Sequence, residues 1–184
     1  MRLFVAVTLG PEVTARAEAA VQRLKPLAPR ARWARLEGLH LTLSFLGDTD
    51  ASLVPALAGA LQAVAARHAP LRLSAGGGGS FGSPTHPRVL WADVRGEVAA
   101  LRALQADVAG ALEPLGFAPE RRAYTAHLTL ARAKAPRGDP ALVACVEALA
   151  HEDWGEGEVR QLILFESRGG AYHPQVEAPL TGAG

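Results

Sequence analysis

Apolar residues recur along the chain at two different spacings. Over residues 11–24, 52–68, 97–115 and 139–150 they return every three or four positions, which predicts four helices. Shorter apolar or alternating segments predict strands at residues 3–9, 31–36, 39–46, 71–75, 88–94, 124–131, 157–167 and 171–179. Neighbouring strands interleaved with helices predict an α+β fold, in which a partly antiparallel sheet packs under the helices.

A run of small residues, GGGGSFGSP at residues 76–84, follows the strand predicted at residues 71–75. Glycine-rich loops bind phosphate in nucleotide-binding proteins, but such a loop continues into Lys-Ser or Lys-Thr and a helix. Neither feature follows this run. Its composition therefore predicts a flexible connector between two strands.

The tetrapeptide HLTL occurs twice, starting at residues 40 and 127, so the two copies are 87 residues apart. This spacing is close to half of the 184-residue chain and predicts an internal duplication. Both copies lie in segments predicted to be strands. We expect two halves related by a pseudo-twofold axis, which would bring both strands to one central cleft.

Successive side chains of a strand point to opposite faces. Alternation therefore places His40, Thr42 and Ser44 on one polar face, and Phe45 on the apolar face with the leucines of the motif. In the second copy, the same alternation separates the histidine and threonine from the leucines. Each copy is predicted to present an imidazole and a hydroxyl together.

The composition is that of an ordinary globular protein, with 49% apolar and 20% charged residues. A net charge of +1 gives no strong attraction to long duplexes or anionic membranes, so any contact with nucleic acid is expected to be local. The single cysteine, Cys145, excludes an internal disulfide, and its apolar helical surroundings predict a buried core residue. No segment reaches the roughly 18 apolar residues of a membrane helix. The apolar residues 3–9 are not followed by the cleavage pattern of a signal peptide. We therefore expect the protein to be located in the cytoplasm, where its cysteine stays reduced.

Two histidines and two threonines on converging strands suit the cleavage of a phosphodiester. Imidazole titrates near neutral pH, so one ring can act as a base while the other acts as an acid. Threonine hydroxyls can donate hydrogen bonds to phosphate oxygens, and no metal ion is required. A single His-x-Thr on a strand is more often a structural histidine, and it is the repetition that favours catalysis. A metal site is a weaker alternative, because neither copy has a second His, Cys or carboxylate at ligand spacing.

These residues resemble the 2H phosphoesterases, a superfamily named for two His-x-Thr/Ser motifs. Within it they resemble the RNA 2′,3′-cyclic phosphodiesterases, which are also called 2′-5′ RNA ligases. The resemblance spans nearly the whole chain. It rests on the segments RLFVAV (2–7), RWARLEGLHLTLSFLGD (32–48), PRVLWADV (87–94), AHLTLARAK (126–134) and LFESRGGAYHP (164–174).

The resemblance implies a single bilobal α+β domain over residues 1–184. Two pseudo-twofold-related lobes with largely antiparallel sheets would line a central cleft, with the helices outside. It also implies hydrolysis of RNA 2′,3′-cyclic phosphate ends to 2′-phosphates without a metal or other cofactor, and reversible 2′-5′ joining of RNA. The implied partner is RNA with such an end, tRNA fragments included, and a monomer with no membrane contact is expected.

The two motifs also imply roles for individual residues. His40 and His127 match the acid–base pair of the family, and Thr42 and Thr129 match the residues that hold the phosphate. We predict that His127 activates water and that His40 protonates the departing 3′ oxygen.

Two further residues match the family outside the tetrapeptides. Arg132 corresponds to an arginine after the second motif and is expected to pair with the phosphate. Simple alternation places Arg132 on the face opposite His127, unless the strand bulges near Ala131, and a solvated cation at the strand end is the alternative. Tyr172 resembles a late tyrosine of the family and is predicted to line the cleft.

Trp33, Phe81 and Trp91 are candidates for stacking on RNA bases, with packing in the core as the alternative. Two other functions stay open at this point. One is a 2H enzyme that acts on another small cyclic or 2′-5′ phosphodiester, and the other is a non-catalytic module that binds RNA ends.

Overall fold

The computed structural model describes residues 1–35 and 39–183. Its helices are α1 (Pro11–Leu24), α2 (Val54–Ala65), α3 (Val98–Leu112) and α4 (Leu142–Leu149). Its strands are β1 (Arg2–Val7), β2 (Arg32–Trp33), β3 (Leu41–Asp48), β4 (Leu71–Gly82), β5 (Pro87–Gly96), β6 (His127–Arg132), β7 (Asp153–Val159), β8 (Gln161–Arg168) and β9 (Ala171–Pro179). None of these helices has both the length and the apolar composition that a membrane-spanning helix needs.

The strands form two antiparallel sheets. Sheet one has the strand order β3-β1-β8-β9, and sheet two has the order β2-β6-β5-β4-β7. The prediction of an α+β fold with antiparallel strands is confirmed. The first HLTL copy begins one residue before β3 in sheet one, and the second copy lies in β6 of sheet two.

One hydrophobic core connects both sheets to the helices. Its buried side chains come from all four helices and from strands of both sheets, for example Val21, Leu61, Leu104, Cys145, Val5 and Leu90. The prediction that Cys145 is a buried core residue is confirmed. A smaller cluster of Phe4, Ala6, Ile163 and Phe165 lies on the opposite face of sheet one.

The predicted connector at residues 76–84 is wrong, because strand β4 continues through the glycines to Gly82. Gly79 pairs with Trp91 across the sheet, and a Cβ atom on Gly79 would lie 2.7 Å from the indole ring. The large ring therefore covers the space that a side chain would take. Cross-strand aromatic cover of this kind lets a glycine-rich segment remain in a sheet.

The single strand predicted over residues 157–167 is also wrong, because the structure has two strands there. β7 ends at Val159 and pairs with β4 of sheet two, whereas β8 begins at Gln161 and pairs with β1 of sheet one. The chain therefore passes from one sheet to the other at Arg160. Both strands carry apolar residues, so the hydrophobic pattern contains no sign of this change.

Candidate active site

The leucines of both HLTL copies face the shared core, as alternation predicts. Leu41, Leu43, Leu128 and Leu130 are all buried in it. The histidines and threonines of the two copies lie on the outer faces of their sheets and are half-buried.

Each motif strand contains a β-bulge at the same place. In β3, Thr42 pairs with Ala6 and Ser44 pairs with Val5, so Leu43 is an extra residue. In β6, Thr129 pairs with Trp91 and Ala131 pairs with Leu90, so Leu130 is the extra residue there. Because a bulge shifts the alternation by one residue, the side chain five positions after each histidine lies on the face of that histidine.

The bulge in β3 corrects the sequence prediction for Ser44 and Phe45. Ser44 pairs with Val5, whose side chain faces the core, so Ser44 does not share a face with His40. Phe45 pairs with Phe4, and the two rings are 6.1 Å apart. Phe45 therefore lies on the outer face and is 74% exposed instead of buried with the leucines.

The bulge in β6 has the opposite consequence for Arg132. Arg132 pairs with Val89, two residues before Trp91 on β5, so it shares the outer face with His127 and Thr129. This is the arrangement that the sequence allowed only with a bulge near Ala131. The exposed guanidinium group thus lies on the side where an anion would meet His127.

Aromatic rings surround His40. Its ring stacks on Phe4 at 4.8 Å, contacts Tyr172 edge-to-face at 5.0 Å, and lies 5.7 Å from Phe165. A cavity of about 450 Å³ opens beside these rings, near the start of α1. Tyr172 lines this cavity together with His40. Phe4 and Phe165 were missed as site residues because β1 and β8 are continuous apolar runs, in which no alternation distinguishes one face from the other.

His127 lies in an aromatic setting of its own. Its ring is 5.2 Å from Phe81 in an edge-to-face contact and 5.9 Å from Trp91. Burial lowers the pKa of His127 below its ordinary value of 6.5, and the positive charge of Arg132 lowers it further, while the carbonyl of Thr125 acts in the opposite direction. The Nδ1 atom is buried and has no partner of good hydrogen-bond geometry among the described residues. The ring is therefore mainly neutral near pH 7, so it can accept a proton.

Replacing Arg132 by glutamine is expected to raise the pKa of His127. Removal of a nearby positive charge makes the protonated ring less unfavourable, while the burial of the ring is unchanged. The pKa should rise and still remain below 6.5. NMR titration of the histidine ring signals measures it directly.

Arg72→Gln provides the control for this titration, because Arg72 is an exposed residue of β4 that pairs with Glu156 and is not among the causes of the His127 shift. It removes the same charge from the molecule. Equal shifts in both variants would contradict a local effect of Arg132.

The six predicted site residues fall into two groups. His40, Thr42 and Tyr172 belong to the outer face of sheet one, and His127, Thr129 and Arg132 belong to the outer face of sheet two.

Trp33 is half-buried against the core, and its indole N–H donates a hydrogen bond to the carbonyl of Ala28. Core packing thus accounts for Trp33. Within the described residues, no group of three or more His, Cys, Asp or Glu side chains is arranged to hold a metal ion.

Comparison with known sequences identifies similar proteins. A family model described as the 2′-5′ RNA ligase superfamily matches residues 11–171. The RNA 2′,3′-cyclic phosphodiesterase of Archaeoglobus fulgidus is 32% identical over 167 residues, which cover 91% of this chain and 91% of that protein. The protein of the same name from Geobacillus stearothermophilus is 41% identical over 133 residues, or 70% of this chain. That relative is longer, and the chain covers 41% of it.

Solved structures with a similar fold cover nearly the whole chain. The protein TT0787 of Thermus thermophilus superposes with a TM-score of 0.80 at 28% identity, covering 99% of both chains. Escherichia coli LigT, solved in complex with 3′-AMP, superposes with a TM-score of 0.74 at 25% identity, covering 98% of both chains.

Proposed function

The chain belongs to the 2′-5′ RNA ligase superfamily of 2H phosphoesterases, and on this premise we propose that it hydrolyses RNA 2′,3′-cyclic phosphate ends to 2′-phosphates. The observation that carries the proposal is the grouping of His127, Thr129 and Arg132 on one face of β6. A base, a hydroxyl donor and a cation are the groups that attack on a phosphodiester requires. The names of the curated relatives support the same substrate class.

The proposed mechanism uses the two histidines in turn. His127, kept neutral by burial, takes a proton from water, and the water oxygen bonds to phosphorus. The bond from phosphorus to the 3′ oxygen breaks, and His40 donates the proton that this oxygen needs. Thr42 and Thr129 donate hydrogen bonds to the non-bridging oxygens, and Arg132 offsets their negative charge. This step requires the two histidine-bearing faces to meet at one phosphate.

The substrate and the metal independence are tested together. The protein is incubated in EDTA with an oligoribonucleotide that ends in a 2′,3′-cyclic phosphate, and the product is analysed by ³¹P NMR. Formation of the 2′-phosphate is the expected result. A 3′-phosphate product would contradict the assigned leaving group, and loss of turnover in EDTA that added metal restores would contradict the metal-free mechanism.

Parallel assays distinguish the related activities. ADP-ribose 1″,2″-cyclic phosphate and 2′-5′ oligonucleotides test the alternative 2H substrates, and faster turnover of either one would replace the proposed substrate. Adding an RNA with a free 5′-hydroxyl to the cyclic phosphate RNA tests the joining reaction, in which this hydroxyl replaces water as the nucleophile and the 3′ oxygen again leaves. A 2′-5′ linked product is expected. An RNA-end binding module would bind the cyclic end and turn over none of these compounds.

tRNA fragments as the natural substrate, a monomeric state and a cytoplasmic location remain predictions.

The rate of hydrolysis is expected to have a bell-shaped dependence on pH. The base must be neutral, so activity falls as the pH drops through the pKa of His127, and burial places this acid limb below pH 6.5. The acid must be protonated, so activity also falls when that group loses its proton at higher pH. Measurement of kcat/KM from about pH 5 to about pH 9 checks this shape, and a flat profile would contradict the two-histidine mechanism.

A further inference from the structure

Two arginines lie directly opposite each other where β6 ends. Arg32 on β2 pairs with Arg132 on β6 in the antiparallel register. The neighbouring pair, Trp33 with Ala131, faces the core, so both arginines lie on the outer face of sheet two, which also carries His127. Like charges at directly opposed positions of two strands destabilise a sheet. A bound anion would relieve this repulsion.

Two more cations lie beside the arginine pair. Arg88 of β5 and Lys134, just after β6, line a cavity of about 400 Å³ together with Arg132. These residues and Arg32 are exposed, and none of the four forms an ion pair with a carboxylate of the described chain. We call Arg32, Arg88, Arg132 and Lys134 the basic groove. The net charge of the whole chain is only +1, so this positive charge is a local feature, and it suits the phosphates of a nucleic acid.

The basic groove extends along β6 away from His127. Arg132 follows His127 by five residues, one of which is the extra residue of the bulge, so roughly 13 Å of strand separates their backbones. The long side chain of Arg132 can reach back towards the reacting phosphate. Lys134 lies further along the chain, and Arg32 lies on the next strand. The groove is therefore suited to a phosphate other than the one that reacts.

The geometry of the reaction decides which RNA strand carries this second phosphate. In a displacement at phosphorus the attacking and leaving oxygens are roughly in line, on opposite sides of the phosphorus atom. In the proposed mechanism His40 of sheet one serves the leaving 3′ oxygen, so the ribose that bears the cyclic phosphate lies on that side. His127 of sheet two serves the attacking oxygen. The basic groove thus lies on the side from which the attacking group enters.

We propose that the basic groove binds backbone phosphates of the RNA strand that supplies the 5′-hydroxyl in the joining reaction. In this reaction the 5′ oxygen bonds to phosphorus and gives its proton to His127. The bond from phosphorus to the 3′ oxygen breaks, and His40 donates the proton that this oxygen needs. Guanidinium groups bind phosphate with paired hydrogen bonds, which fix the position of the strand as well as attract it. The inference rests on the proposed function and adds a binding site for the second substrate.

The test follows joining and hydrolysis of one oligoribonucleotide 2′,3′-cyclic phosphate, with and without a 5′-hydroxyl oligoribonucleotide. In Arg32→Gln and in Lys134→Gln, the concentration of the 5′-hydroxyl strand that gives half-maximal joining should rise about 3- to 30-fold, the loss expected for one charged contact to phosphate at an exposed site. The slope of the logarithm of this concentration against the logarithm of salt concentration should fall by about 0.7 for each contact removed. Hydrolysis without the second strand should be unchanged, because water needs no groove.

Adenosine provides a control substrate, because it has a 5′-hydroxyl and no phosphate. Joining to adenosine should be equal in the wild-type protein and in both variants. Arg32→Lys should retain most of the joining to the oligonucleotide, since it keeps the charge. Arg102→Gln is the matched control variant, because it removes an exposed arginine from helix α3, and it should change neither reaction. Thermal unfolding of Arg32→Gln should occur at the same or a slightly higher temperature, because the repulsion from Arg132 is gone.

Three results would overturn the inference. Equal losses of hydrolysis and joining in Arg32→Gln would assign the groove to the strand that carries the cyclic phosphate. Unchanged joining to the oligonucleotide in both variants would show that the groove does not bind the second strand. A wild-type protein that hydrolyses the cyclic end and joins no second strand would overturn it as well. If the wild-type protein does not open the cyclic phosphate by either reaction, the proposed function itself is wrong.

Discussion

Replacement of His127 by alanine is expected to lower kcat for a cyclic phosphate RNA end by about 100- to 10,000-fold, the usual contribution of one general base. The ring acts on the attacking water and has no proposed contact with the bound RNA, so kcat and kcat/KM should fall together while binding is retained. The acid limb of the pH profile should disappear in the same variant, because the group that titrates there is gone. Rapid-quench or steady-state kinetics with a labelled oligonucleotide measures all three quantities.

His40→Ala should cause a loss of similar size, and the double variant should lose little more than either single variant. Groups that act in one chemical step are strongly non-additive when they are removed in turn. His151→Ala is the control, because His151 is exposed just after α4 and takes no part in the proposed chemistry. Near-normal kcat in either His40→Ala or His127→Ala would remove that residue from the mechanism.

The sequence predicted the motif strands well because their patterns are regular up to the bulges. Through Leu43 in the first copy and Leu130 in the second, alternation correctly placed the leucines in the core. The repeat itself identified the histidines and threonines as candidates, since a chance structural histidine is not expected to recur in the same setting. The family resemblance extended the candidates to Arg132 and Tyr172, which belong to neither tetrapeptide.

The sequence could not predict what lies beyond the bulges. A bulge inserts one residue into the pairing without changing the apolar composition of the strand, because Leu43 and Leu130 are buried like the other leucines of the two motifs. Its effect is visible only in the side chains that follow. Phe45 was assigned to the core for this reason, and the face of Arg132 depended on a feature that alternation does not encode.

The glycines of β4 show a second limit of sequence interpretation. A Gly-rich run is typical of a loop, and its strand conformation here depends on Trp91, a residue of the next strand. That contact exists only after the two strands have paired. The ring that covers Gly79 also lies against His127, so the glycine run contributes to the surroundings of the candidate base.

Replacement of Gly78 by alanine is expected to destabilise the fold by about 2 kcal/mol, because overpacking a closely fitted contact typically costs about 1–3 kcal/mol. A Cβ atom there would lie 2.2 Å from the carbonyl oxygen of Trp91 and 3.2 Å from the side chain of Leu149. The first neighbour is backbone, so it cannot move without disturbing the pairing of β4 with β5. For a chain of this size the melting temperature should fall by about 4 to 8 °C, which calorimetry or thermal circular dichroism measures.

Gly59→Ala is the matched control for this loss, because it is the same substitution at an exposed glycine inside α2 with no atom near the new Cβ. Alanine restricts the unfolded chain and favours the helix, so this variant should gain about 0.5–1 kcal/mol. The two substitutions are thus expected to change stability in opposite directions, and only the position in the fold distinguishes them. Equal, small effects at both positions would mean that residues 76–82 are not held against Trp91 and would restore the interpretation of the run as a connector. A large loss confined to Gly78→Ala, together with reduced kcat in the fraction that stays folded, would connect the glycine strand to the placement of His127 through Trp91.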